Sequence, residues 1–235
     1  MMNIQILGPF NTGTNLIIII LHRLGLGERL GLVGDARRHL DRVDLRRMGD
    51  RLIWKHTIFK EKLEECIINN KNTLFICMYK PIYQWIESIK KESYNIKWNK
   101  DIYSKCCFDG ELKTKREWNQ FEYENIVELY NMYYLTYKYL IEKYNNVIWI
   151  DYYKLLDKEN VEKYIEDKIP FLNIKDKQNI INDILNTPSK CHGASVKNSE
   201  EALKKKKIID NNFEMSKDKK FIDNKLDKSI VDFYR

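Results

Sequence analysis

Apolar and polar positions along this chain switch repeatedly between short continuous runs and longer helical spacings. Asn3-Ile4-Gln5-Ile6-Leu7 is a short apolar run, and a glycine-containing turn separates it from a second apolar segment that starts at Thr14. The first run predicts a buried strand and the second a helix over 14–24. Arg51-Leu52-Ile53-Trp54 predicts a second short strand, with a helix over 61–69 behind it. Residues 73–78 are continuously apolar, as in a parallel strand covered on both faces. Pro81 suits the first turn of a helix and opens one that runs to about residue 91. Phe121, Ile126, Leu129, Tyr133, Tyr137 and Leu140 recur at spacings of three to five. They predict one long helix over 117–144 whose aromatic stripe packs into the core. Residues 146–150 form another buried strand, ending in Asp151-Tyr152.

Strands interleaved with helices predict an α/β fold of three layers, with a mostly parallel central sheet flanked by helices. A length of 235 residues suits one domain over 1–235, with a Lys- and Asn-rich part from about residue 173 that is helical or partly mobile. Lys204-Lys205-Lys206-Lys207 in that part reads as a solvated face or a mobile loop. A nucleic-acid role is disfavoured, because no aromatic residues interleave the run.

Composition adds a constraint on partners. With 43% hydrophobic and 12% aromatic residues the chain fills one sizeable core, and its net charge of +7 favours an anionic partner. The five cysteines are odd in number and have no CxxC spacing, so neither a disulfide framework nor a zinc site follows. The apolar run 16–21 is far too short to span a bilayer, and no Asn-x-Ser/Thr acceptor occurs. A soluble cytoplasmic protein with no membrane partner is expected. Residues 23–51 hold eight of the ten arginines; their origin stays open, and no site residue is placed there.

Three places carry candidate chemistry. Gly8-Pro9-Phe10-Asn11-Thr12-Gly13-Thr14-Asn15 follows a strand and opens a helix, the setting of a loop that cradles phosphate with backbone N–H groups. Its G-x4-G spacing matches a P-loop, but Thr14-Asn15 stands where an ATPase carries Lys-Ser/Thr, which argues for phosphate binding without nucleotide hydrolysis. Lys80 lies at the end of the 73–78 strand, where open α/β sheets bind ligands, and Ser88 follows eight residues on. Together they offer a cation and a hydroxyl for a second phosphate. Lys55-His56, past the second strand, offers a cation for developing negative charge and a base.

The combination resembles the PAPS-dependent sulfotransferases, which use 3′-phosphoadenosine 5′-phosphosulfate. Phe10-Asn11-Thr12-Gly13-Thr14-Asn15 is similar to the family's 5′-phosphosulfate loop, and Lys80 with Ser88 to its Arg–Ser pair for the 3′-phosphate. Lys55-His56 is similar to its catalytic neighbourhood, and Asp151-Tyr152-Tyr153-Lys154-Leu155-Leu156 to its Tyr-Glu-Asp-Leu segment. The resemblance implies a P-loop-like sulfotransferase fold and transfer of a sulfuryl group from PAPS to a hydroxyl or amine, leaving 3′,5′-adenosine bisphosphate, with no metal. His56 and Lys55 are then catalytic, and Phe10, Asn11, Thr12, Gly13, Thr14, Asn15, Lys80 and Ser88 bind the cofactor. Asn11 departs from the family's loop lysine, and Lys80 keeps the charge of an arginine without its fork. A catalytically silent nucleotide- or anion-binding protein is therefore an alternative, and a P-loop nucleotide kinase a weaker one. The acceptor, whether a small molecule, a glycan or a protein, is not legible. Segments 23–51 and 94–115, with Tyr94, Trp98, Tyr103 and Phe108, are candidates for its pocket.

Overall fold

The computed structural model of the protein describes residues 3–26, 52–111, 118–172, 177–186 and 198–235. Three strands, β1 (Asn3–Leu7), β2 (Thr73–Tyr79) and β6 (Val147–Asp151), form a parallel sheet in the order β1-β2-β6. The register runs from Asn3 opposite Thr73 to Leu7 opposite Cys77, and from Phe75 opposite Val147 to Tyr79 opposite Asp151. All three strands therefore end at one edge of the sheet. The α/β class with a parallel sheet flanked by helices is as expected.

β2 is buried at all seven positions because both of its faces are covered. Leu74, Ile76 and Met78 join one core, with Ile4 and Ile6 of β1, Ile17 and Ile20 of α1 (Thr14–Leu21), and Ile165 of α5 (Val161–Lys168). Phe75, Cys77 and Tyr79 join the other. There they pack with Leu63 and Ile67 of α2 (Lys60–Asn69), Trp85 of α3 (Ile82–Lys91) and the tyrosines of α4 (Ile126–Lys143). The period-two alternation of a strand thus divides one apolar run between two cores.

Three expectations are corrected. The described residues 52–54 form a bend leading into a turn, not a strand: the Gly8 N–H bonds the Lys55 carbonyl at 2.8 Å, and Thr57 then turns back to Trp54. The helix from Thr14 stops at Leu21, and a wider turn over His22–Leu26 ends it, with Gly25 in the left-handed region at φ +82°. The long helix starts at Ile126, not 117, because the Asn125 side chain caps it by accepting from the N–H groups of Val127 and Glu128 at 3.1 Å each. Phe121 lies on β5 (Trp118–Tyr123) instead, paired antiparallel with β4 (Cys106–Glu111), which also pairs with the short β3 (Ile96–Lys97). Alternation alone does not announce this second sheet. Its Phe108 and Ile96 pack into the second core.

The described C-terminal part is helical. After α6 (Gln178–Asn186) come α7 (Ser199–Glu214), α8 (Lys217–Lys225) and α9 (Lys228–Phe233). Tyr234 stacks on Tyr79 at 4.5 Å between centroids and donates to the Tyr134 carbonyl, which ties the chain end to the sheet. The Lys204–Lys207 run lies within α7. Among the described residues, no helix is long and apolar enough to cross a membrane. Cys66, Cys77, Cys106 and Cys107 are free thiols; Cys191, like most of 23–51, lies outside the described residues.

Candidate functional site

The loop after β1 is tight for identifiable reasons. Asn11 and Gly13 adopt left-handed backbone conformations, at φ +62° and +83°. Asparagine and glycine tolerate that region best. The Thr12 hydroxyl donates to the Pro9 carbonyl at 2.7 Å, so it closes the loop from within. The indole N–H of Trp85 donates to the Phe10 carbonyl at 2.9 Å, pinning the loop to α3. Gly13 caps α1 without any side-chain hydrogen bond, which leaves the open N–H groups and positive end of a helix facing the loop.

Lys80 and Ser88 are brought to this loop. Lys80 Nζ lies 2.8 Å from Ser88 Oγ and 3.0 Å from the Asn11 carbonyl, and 4.8 Å from the centroid of the Tyr152 ring. Ser88 in turn donates to the Gln84 carbonyl one turn back, at 2.8 Å. The Lys80 residue is 6% exposed, and its ammonium bonds two neutral oxygens, a hydroxyl and a carbonyl. Burial first, then the charges of Lys205 and Lys91, pull its pKa from 10.5 down to about 7. An arriving anion would offset both effects by favouring the charged form.

His56 and Lys55 sit beside the start of the same loop. His56 Nδ1 is 2.6 Å from the Gly8 carbonyl. A carbonyl only accepts, so the contact assigns the proton to Nδ1 and leaves Nε2 as the basic nitrogen. Burial, followed by the charge of Lys55, holds the imidazole well below 6.5, against the opposing pull of the Gly8 carbonyl. Both effects favour the neutral ring. It stacks on Phe10 at 4.0 Å, and Phe10 stacks on Tyr94 at 5.1 Å. Lys55 Nζ donates to Asn15 Oδ1 at 2.8 Å, bridging the two motifs.

Asn11 is turned away from the loop's interior. Its amide donates to the carbonyls of Glu92 at 2.8 Å and Ser88 at 3.4 Å at the end of α3, where the Ser88 carbonyl also accepts the Glu92 N–H. Of the acceptor-pocket candidates, Phe108 is fully buried in the core, and Tyr103 is half exposed and touches Asp218 and Phe221 of α8. Trp98 is partly buried.

Other residues shape the site without having been singled out from the sequence. The α4 tyrosines reach the backbone of both site segments. Tyr133 donates to the His56 carbonyl at 2.8 Å, Tyr137 to the Thr57 carbonyl at 3.4 Å and Tyr130 to the Lys80 carbonyl at 3.0 Å, while Tyr134 accepts from the Lys80 N–H at 3.1 Å. Tyr152, just past β6, packs its ring against Gly13. The legible signal was the choice of tyrosine over phenylalanine, since a buried hydroxyl needs a partner.

Comparison of the chain with protein-family models, with curated proteins and with solved structures finds no match.

Proposed function

We propose that the protein is a sulfotransferase of P-loop-like architecture that moves a sulfuryl group from PAPS to an acceptor hydroxyl or amine. The observation that carries this reading is the meeting of Lys80 with both Ser88 and the Asn11 carbonyl. It puts a cation–hydroxyl pair beside a loop whose helix N-terminus is open. A ligand with one phosphate group would use one of these cradles. PAPS carries a 5′-phosphosulfate and a 3′-phosphate, and so engages both.

In this reading the N–H groups of residues 10–15 hold the phosphosulfate, and Lys80 with Ser88 takes the 3′-phosphate and selects against ATP. His56 Nε2 accepts the acceptor's proton, while Nδ1 stays bound to the Gly8 carbonyl and fixes the ring. The acceptor oxygen or nitrogen forms its bond to sulfur as the bond from sulfur to the bridging oxygen breaks. The electron pair leaves with 3′,5′-adenosine bisphosphate, and Lys55 offers its charge to that leaving oxygen. Phe10 contributes its backbone; its side chain supports His56.

A second reading is favoured by Asn11, whose amide is committed to α3 so that the loop brings no cation of its own. It is a catalytically silent protein of the same fold that holds an anionic nucleotide. Calorimetry with 3′,5′-adenosine bisphosphate, AMP, and ATP plus magnesium tests the site common to both. Selective binding of the bisphosphate, lost in Lys80→Ala, is expected. A preference for ATP with magnesium, or no binding, overturns both readings. Sulfuryl transfer from PAPS to a panel of phenols, sugars and amines then separates enzyme from binder.

A further inference from the structure

Among the described residues, three other than glycine hold a positive φ: Asn11, Lys100 and Tyr94, the last at +48°. A bulky aromatic residue rarely takes this region, and it persists there only where the surroundings over-determine it. Tyr94 is the second residue of a turn in which the Ile96 N–H bonds the Ser93 carbonyl at 2.9 Å. Turns with a positive φ at that position usually carry glycine, asparagine or aspartate. An asparagine stands next door, and it is used otherwise. The Asn95 carbonyl accepts the Asp109 N–H at 2.9 Å, and its amide donates to the Asp109 carbonyl at 3.2 Å, which pins the turn to β4.

The loop after β1 holds the other end of the turn. The Asn11 amide reaches the Glu92 carbonyl at 2.8 Å, and the neighbouring Phe10 lays its ring on Tyr94 at 5.1 Å, with 18° between the planes. Two successive loop residues thus grip segment 92–94. Phe10 also stacks on the His56 imidazole at 4.0 Å and 30°, and Trp54 meets the same imidazole edge-on at 5.4 Å and 83°. His56, Phe10 and Tyr94 are therefore joined by two stacked contacts that share Phe10, and they lead from a buried histidine to a half-buried tyrosine. The bond from Nδ1 to the Gly8 carbonyl, at 2.6 Å, needs the imidazole to keep its plane, and stacking on a face is what resists its rolling.

We propose that Tyr94 is a positioning residue for His56: the strained turn seats its ring against Phe10, and Phe10 thereby holds the imidazole in the plane that gives Nδ1 to the Gly8 carbonyl and presents Nε2 to an acceptor. Its place in the chemistry rests on the reading of His56 as the base. Asn11 gains a task as well, because the loop side chain that brings no cation fastens the turn that carries Tyr94.

Urea denaturation of the full chain tests the turn by comparing Tyr94→Gly with Tyr94→Ala, both of which lack the ring. Glycine accepts a positive φ and alanine does not, so Tyr94→Gly should have the higher midpoint, the reverse of the order at an ordinary position. An equal or lower midpoint overturns the strained turn. NMR of isotope-labelled histidine tests the stack, with the His56 signals identified by their loss in His56→Gln. Wild type and Tyr94→Phe, which keeps the ring, should show one tautomer, protonated at Nδ1. Tyr94→Leu, which keeps apolar bulk without a ring, should show two tautomers in exchange and lose the upfield shift that Phe10 imposes on the imidazole protons. Unchanged signals in Tyr94→Leu overturn the positioning role, and so does an equal change in Tyr94→Phe. Calorimetry with 3′,5′-adenosine bisphosphate on the same proteins keeps the two readings apart. Binding should survive Tyr94→Leu, and its loss there would show that Tyr94 shapes the loop instead of the ring, which overturns the proposal. Failure of the wild type to bind overturns the nucleotide reading, while the tautomer of His56 still decides the role of Tyr94.

Discussion

The Tyr152 ring occupies the space that a side chain at residue 13 would need: a Cβ built on Gly13 would stand 2.3 Å from Tyr152 Cδ2. Gly13 also sits at φ +83°, so conformation and contact demand glycine independently. Through this contact the end of β6 supports the loop after β1, and the Tyr152 N–H bonds the Tyr79 carbonyl at 2.9 Å to hold the ring's backbone against β2. Three strand ends are thereby locked into one site.

Gly13→Ala should cost about 1–2 kcal/mol from the left-handed backbone alone, plus the displacement of Tyr152. The denaturation midpoint should fall and bisphosphate affinity should be lost. In Gly13→Ala/Tyr152→Ala the steric part is absent, so the added alanine should cost less there than in the wild-type background. An equal cost in both backgrounds would show that the ring does not constrain the loop.

Tyr133→Phe should lower stability by about 1–3 kcal/mol, because it removes one hydroxyl and leaves the His56 carbonyl buried without its donor. Met132→Ala, at an exposed position on the same helix, serves as the control and should change little. Urea denaturation of the two variants makes the comparison. If Tyr133→Phe is as neutral as the control, α4 packs against the site without organising it.

The parts of the fold that could be read from the sequence are those where one physical demand dominates. β2 is apolar from Leu74 to Met78 because both of its faces are covered, and all seven of its residues are buried. The pairing of Lys80 with Ser88 was legible because a strand end and two helical turns fix their separation. Phe121 misled because an aromatic residue five positions before Ile126 fits a helical stripe as well as it fits a strand. The decisive residue was Asn125, a cap whose side chain starts the helix one position later. Of the strand expected at 51–54, residues 52–54 form a bend leading into a turn, and among the described residues the Gly8 N–H bonds the Lys55 carbonyl where a ladder needs a series. The α4 hydroxyl contacts depend on tertiary placement, which spacing along the chain does not encode.

His56 should lose its proton from Nε2 at a pH well below 6.5, because burial and Lys55 disfavour the charged ring. The imidazole carbon shifts in NMR should report a neutral ring through the ordinary histidine range. The sign for stability follows from the depressed value. The contribution is complete above about 6.5 and is lost as pH falls below that, since the unfolded chain then binds the proton more readily. His56→Gln should flatten this acid-side dependence. If sulfuryl transfer is found, His56→Ala should lower its rate about 100- to 10,000-fold while bisphosphate still binds. A ring that titrates at 6.5 would contradict its burial beside Lys55.

Lys80→Met should abolish bisphosphate binding and yet relieve the protein of a buried charge. Folding lowers the Lys80 pKa from 10.5 to about 7, so the folded state holds this proton less tightly than the unfolded chain does. The wild type should therefore lose stability relative to Lys80→Met as pH falls from about 10.5 toward 7, by up to about 1.4 kcal/mol per pH unit. Denaturation of both proteins across that window, without ligand and with saturating inorganic pyrophosphate, measures it. Pyrophosphate should remove much of the wild-type penalty and leave Lys80→Met unchanged, since a bound anion compensates the ammonium that the fold leaves among neutral oxygens and like charges. Parallel curves would mean that Lys80 keeps its ordinary proton affinity in the folded chain, and the cradle it forms with Ser88 would then lack the electrostatic deficit that makes it an anion site.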